Sequence, residues 1–180
     1  MTVALIISCS FNFRYYKDIY VVKTGLNGAV IWQNTYGGSY LEKAMDVVKT
    51  EGNGYIILGQ ECIHNYDIYS CEPRTKVIIL NIDENGNSLD ETVLSGLYFF
   101  ESGTPMALAN TNQGGYVFST VPKNGGSVWL YKWGNAEETI NKKISPGGLG
   151  GESIELTNDN GFIISTTDNI ILKTDQSLTF

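Results

Sequence analysis

Proline, positive charge and histidine are all scarce in this sequence. Proline occurs 4 times in 180 residues, against 20 glycines. Turns in such a chain rest on glycine and asparagine, which tolerate positive φ, more than on the fixed φ of proline. Lysine and arginine number 12 against 19 acidic residues, giving a net charge of −7. Basic residues stand near one another at Arg14 with Lys17 and at Lys142 with Lys143, and these form no stripe. A nucleic-acid binder needs a basic stripe to neutralise phosphates, so no nucleic-acid partner is expected. An acidic excess suits a soluble exported protein. His64 is the only histidine. No Ser or Cys stands near it in a nucleophile setting, so no catalytic constellation assembles and no cofactor is implied. No apolar run reaches the roughly 18 residues of a membrane-spanning helix. Helical periodicity is missing as well. The stretch 40–49 comes nearest, with Leu41, Ala44, Val47 and Val48 at helical spacing. A strand beginning near Ala44 explains the same residues.

What the sequence has is strand-forming composition and repetition. It holds 11 tyrosines and many Val, Ile, Thr and Asn, a mixture that favours strands joined by tight turns. Residues 47–59, 108–120 and 154–166 align without a gap. In each, Thr50, Thr111 or Thr157 stands four residues before Gly54, Gly115 or Gly161, and an aromatic follows that glycine. This is hairpin chemistry. Asn53-Gly54, Gly114-Gly115 and Asn160-Gly161 are expected to supply the positive φ of a tight turn. A second unit alternates with the first at residues 18–24, 76–82, 127–133 and 169–174, continuing through Asn27-Gly28 and Asn85-Gly86. Its near-continuous apolar character suits strands covered on both faces.

The succession Asp18, Lys23-Thr24, Asn27-Gly28, Trp32, Tyr36-Gly37-Gly38 and Gly54-Tyr55 resembles the propeller repeats of bacterial and archaeal surface proteins. The resemblance spans roughly residues 18–180 and weakens after Asp90. It implies an all-β fold of four-stranded antiparallel blades. The strands amount to about three and a half blades, below the roughly 4 to 8 of closed propellers. The expectation is therefore an incomplete or open propeller with Ile19, Val21 or Ile171 exposed at its open ends and a tendency to self-associate.

Residues 3–8 are mostly apolar and end in Ser8 before Cys9. With Ile6 and Ile7, this resembles the end of a bacterial lipoprotein signal. It implies residues 1–9 as a signal-like segment, 10–180 as the repeat domain, and Cys9 as a lipidated membrane anchor. The family's basic n-region has no counterpart before Arg14. The alternative is a first edge strand packed on the repeats.

Several residues are candidate sites. Cys62, His64 and Cys71 share the long loop after Gln60. A Cys62–Cys71 disulfide suits an exported hairpin loop, free thiols are the alternative, and the spacing lacks the fourth ligand of a zinc site. Residues 83–87 with Asp90 faintly match a calcium loop but lack its aspartate ladder, so a turn is the plainer reading. Asn81, Asp83 and Asn85 partly resemble the mannose site of bulb-type lectins, with Asn87 and Leu89 where that site needs Val and Tyr. Trp32, Trp129, Tyr131 and Trp133 could stack on sugars but are expected in the core.

The functional expectation is a non-enzymatic exported repeat protein, a periplasmic or cell-surface lipoprotein on the outer membrane presenting loops for binding or adhesion to a protein or glycan. The alternatives are a lectin-like carbohydrate-binding module and a fragment of a larger propeller enzyme.

Overall fold

The computed structural model describes residues 5–12, 16–38, 41–62, 75–94, 104–121, 127–133, 141–144 and 150–180. Among them are fourteen strands and no helix. The chain divides into two compact units, 1–100 and 101–180.

Unit one holds two antiparallel sheets. The first is β1 (Leu5–Asn12), β2 (Tyr16–Thr24) and β3 (Val30–Tyr36), in that order. The second runs β4 (Leu41–Lys49), β5 (Tyr55–Cys62), β6 (Thr75–Ile82) and β7 (Ser88–Leu94). Unit two repeats the plan. Its strands β8 (Thr104–Asn110), β9 (Tyr116–Val121), β10 (Trp129–Trp133) and β11 (Asn141–Ile144) form one meander. Strands β12 (Gly151–Leu156), β13 (Phe162–Thr166) and β14 (Ile171–Thr174) form the other. These are propeller-type blades. Two have four strands and two have three among the described residues, three and a half blades' worth in all.

One turn builds every described hairpin that joins these strands. It is five residues long, and the first N–H donates to the fifth carbonyl at 2.7–3.1 Å in turns 25–29, 50–54, 83–87, 111–115, 157–161, 166–170 and 175–179. The fourth residue is always at positive φ: Gly28, Asn53, Gly86, Gly114, Asn160, Asn169 and Leu178. The three expected hairpins are present as β4–β5, β8–β9 and β12–β13. The third lies in a three-stranded sheet, and Asn169 and Ile170 belong to a turn rather than to the strand that follows. Turn 175–179 follows β14 and holds Leu178 at its fourth position.

The glycines of the Asn-Gly pairs do two jobs. In 27–28 and 85–86 the glycine takes the positive φ. In 53–54 and 160–161 the asparagine does, at φ 65° in both. Gly54 and Gly161 are needed for close approach, since a Cβ there would lie 2.3 Å from Ile82 O and 2.0 Å from Thr174 O.

The core of each unit lies between its two sheets. In unit one, Ile19 and Val21 of β2 pack on Tyr55, Ile57, Ile78, Leu80 and Ile82. A Cβ on Gly59 would meet Ile19 Cδ1 at 2.9 Å, so this glycine makes room for it. Ile19 and Val21 are thus buried, at 2% and 0%, contrary to the expectation of exposed ends. The first sheet has its face on β4–β7, and each such aliphatic side chain contributes about 1.5–3 kcal/mol. Ile171, by contrast, is 70% exposed as expected. In unit two, Val117, Val128 and Leu130 pack against Ile154, Phe162, Ile164 and Leu178.

Candidate functional site

Strand alternation puts Tyr55, Ile57, Gly59 and Glu61 on one face of β5, with Lys76, Ile78 and Leu80 beside them on β6. The apolar members fill the core with β2. Beyond them the face turns acidic. Glu42 of β4 stands directly opposite Glu61, and Lys76 is opposite Glu61 on the other side. Like charges directly across a strand pair destabilise a sheet. Here both are buried, Glu42 at 3% and Glu61 at 9% exposure. Lys76 Nζ relieves Glu61 at 2.7 Å from Oε1. The Gly38 N–H donates to Glu42 Oε1 at 3.2 Å.

Glu42, Glu61, Ile78 and Leu80 are among the residues that line a cavity of about 90 Å³. Its apolar wall is Ile19, Ile78 and Leu80, its polar lining is Tyr36, Glu42, Glu61 and Glu91, and Gly37 and Gly38 complete it. Gly37 lies close against Asp18, where a Cβ would meet Oδ1 at 2.8 Å. The Tyr-Gly-Gly that marks the repeat in sequence thus lines the cavity. The carboxylates around it went unnoticed in the sequence. Glu61 near the end of the mostly apolar β5 is the one signal, and pairing it with Glu42 requires the β4–β5 register.

Tyr36 also belongs to a clamp. Its hydroxyl donates to Gly86 O at 2.5 Å, beside Asn34 Nδ2 at 2.7 Å from the same carbonyl. Lys23 Nζ and Trp32 Nε1 both donate to Glu84 O, at 2.7 and 2.8 Å. The Lys23 ammonium lies 5.5 Å from the Tyr55 ring centroid and 5.9 Å from that of Trp32. Burial raises the Tyr36 pKa, which keeps the phenol protonated and donating. Turn 83–87 is therefore gripped by β2 and β3 of the neighbouring sheet.

The lectin-like residues fall in this turn. Asn81 sits in β6, opposite Asp90. Asp83 Oδ1 accepts from the Asn85 and Asn87 N–H groups at 2.8 Å each, and Oδ2 accepts from Asn87 Nδ2 at 2.8 Å. Both carboxylate oxygens thus serve the turn itself. Among the described residues no group of three or more His, Cys, Asp or Glu is placed to hold a metal ion. The Asn87 side-chain bond, then its backbone N–H, holds the Asp83 carboxyl below its ordinary pKa. A depressed pKa contributes stability above the unfolded value of about 3.9 that is lost as pH falls. Asp83→Asn is expected to melt lower than wild type at pH 7, with the gap narrowing below about pH 3.9 in thermal melts across pH.

Tyr131 is 1% exposed and stacks on Phe118 at 5.1 Å. Trp133 is half-buried and stacks on Tyr116 at 5.9 Å, and Trp129 is half-buried. Trp32 is held in the clamp. Cys9 is in β1, opposite Ile19. Cys62 ends β5, opposite Thr75. His64 and Cys71, and with them the Cys62–Cys71 pairing, lie outside the described residues.

No family model and no curated protein matches the chain. Among solved structures it is similar to a protein of unknown function from Bacteroides caccae, at 11% identity and a TM-score of 0.61, over 98% of this chain and 61% of that one. It is also similar to the WD40 β-propeller domain of Doa1, at 11% identity and a TM-score of 0.42, over 96% of this chain and 64% of that one. The chain spans about three fifths of the Bacteroides caccae structure it matches. The fold defines an all-β protein of propeller-type repeats.

Proposed function

We propose that the protein is a non-enzymatic binding module, exported and held at the outer membrane through acylated Cys9, that receives a cationic side chain of a partner protein in the cavity of unit one. The observation that carries this reading is the cavity itself: three glutamates, two of them buried, over a wall of Ile19, Ile78 and Leu80. An apolar wall beneath carboxylates suits the methylenes and the charged head of a lysine or arginine. The lining itself contributes three glutamates, and Lys76 lies on one of them, Glu61. The carbohydrate reading has less support, because the Asp83 oxygens are engaged by their own turn. Calorimetric titration with a lysine-rich peptide tests the proposal. Binding is expected to weaken at least about tenfold in Glu42→Gln and Glu91→Gln and to decline with salt. Equal affinity in both variants, or none in wild type, would refute it. Labelling with palmitate in a bacterial host, compared with Cys9→Ser, tests the anchor separately.

A further inference from the structure

Strand β3 is the outer member of its sheet, and among the described residues no strand pairs with its other edge. None of its residues is buried. The backbone N–H and C=O groups that do not face β2 point outward along this edge. Such an edge accepts a further strand unless charge, proline or a bulge protects it.

Other edge strands carry that protection. Strand β7 ends its sheet with Asp90 and Glu91, and β11 ends its own with Lys142 and Lys143. Strand β3 reads Val-Ile-Trp-Gln-Asn-Thr-Tyr, with no charge and no proline. Its bulge lies at the start. Trp32 pairs with Lys23 and Val30 with Thr24, so Ile31 is the extra residue. From Trp32 to Tyr36 the register is unbroken. Trp32, Asn34 and Tyr36 turn inward to the clamp, and Gln33 and Thr35 between them are exposed.

The two ends of the edge differ in chemistry. At its beginning Leu26, Val30 and Ile31 are 74%, 57% and 53% exposed. At the other end Tyr36 leads into Gly37 and Gly38, and all three line the cavity with Glu42, Glu61 and Glu91. A strand rise of about 3.4 Å per residue puts Ile31 and Tyr36 about 17 Å apart.

We propose that the partner's contact on unit one is an extended segment that adds to the edge of β3 as an antiparallel strand, with a lysine just before that strand and aliphatic residues at its end. The seat of the lysine rests on the cavity reading above. Backbone hydrogen bonds to β3 supply affinity with little regard to sequence, and the two ends fix direction and register. Antiparallel pairing is the slightly stronger kind. It starts the partner's strand beside Tyr36, which brings the lysine to the carboxylates. It finishes the strand beside Ile31 and Val30, which the partner's aliphatic side chains cover. The lysine therefore precedes those residues by about five or six positions.

Calorimetry with synthetic peptides against the full chain tests this. The parent peptide carries one lysine, then uncharged strand-forming residues, then Val-Ile at that spacing. It is expected to bind at least about tenfold more tightly than the same residues in reverse order. Two further peptides carry N-methyl groups on alternate strand residues, one in each frame. An added strand turns one set of N–H groups to β3 and the other to solvent. One frame should therefore lose at least about tenfold, and the other should bind within about threefold of the parent. Hydrogen exchange at residues 32–36 should slow when the parent binds. Replacing the lysine by norleucine separates the two readings. If norleucine abolishes binding while both methylated frames bind like the parent, the cavity reading stands and the added strand is overturned. If norleucine binds like the parent and one frame is lost, the strand stands and the cavity reading falls. Equal binding of the reversed peptide overturns the assigned direction. Protection of residues 32–36 that rises with protein concentration alone means that a second copy covers the edge, and overturns the proposal. If no peptide binds, both readings fall.

Discussion

Gly161→Ala is expected to lose about 2–4 kcal/mol of stability, and Gly54→Ala nearly as much. A methyl group at residue 161 would lie 2.0 Å from Thr174 O, and one at 54 would lie 2.3 Å from Ile82 O. Both obstacles are backbone carbonyls of an adjacent strand. They cannot rotate aside, so the strands must separate and lengthen their hydrogen bonds. The residue before each glycine should behave in the opposite way. Asn53 and Asn160 carry the positive φ, so changing either to glycine removes a left-handed penalty while adding chain entropy. The net change should stay within about 0.5 kcal/mol. Urea denaturation of the four single variants measures both halves. If Gly161→Ala is as stable as wild type, the close approach is not required there and the two-role account of the Asn-Gly pairs fails.

The distinction between those glycines shows what could be read from the sequence. The repeat was legible because each copy carries Thr, a turn and an aromatic at fixed spacing, and those residues do build one turn geometry. The frame of the Asn-Gly pair was not legible. The same dipeptide places its positive φ on glycine in one hairpin and on asparagine in another, depending on whether it fills the third and fourth or the fourth and fifth positions of the turn. The depth of burial at Ile19 and Val21 was hidden for a related reason. A strand with apolar residues on both faces does not reveal which face meets a neighbouring sheet. The candidate site was the least legible part. Glu42 and Glu61 are 19 positions apart, and only the β4–β5 register sets them side by side. Sequence candidates such as Asp83, Asn85, Trp32 and Tyr131 proved to hold turns and sheets together.

The clamp on turn 83–87 gives the repeat motif a physical reading. Lys23, Trp32 and Tyr36 are three of the residues that carry the resemblance, and all three donate to carbonyls of one turn. Two carbonyls receive four donors. The motif thus encodes the joint between successive blades, with little information about a ligand. This explains why it identifies architecture well and function poorly. Tyr36 and Gly37-Gly38 take part in both joint and cavity, so the cavity forms where two blades meet at the end of their shared core.

Leu178 is the place where this turn geometry and the core compete most directly. Six of the seven turns put glycine or asparagine at the fourth position, and turn 175–179 puts leucine there, at φ 61°. A left-handed leucine is disfavoured by about 1–2 kcal/mol. It is also 1% exposed and packed with Ile154, Phe162 and Ile164, a burial worth about 1.5–3 kcal/mol. Leu178→Ala should therefore lose about 2–5 kcal/mol, because it opens a cavity and keeps the strained backbone. Leu178→Gly opens a slightly larger cavity and removes the strain, so it should be the more stable of the two, the reverse of the usual order of alanine over glycine. Gly28→Ala supplies the calibration. It occupies the same turn position at φ 79°, and a Cβ there meets nothing within 4 Å, so its loss reports the backbone term alone, about 1 kcal/mol. Chemical denaturation of the three variants should show the glycine variant at 178 above the alanine variant by roughly that amount. Alanine above glycine at 178 would mean that packing alone decides the site and that the core imposes no strain on this turn.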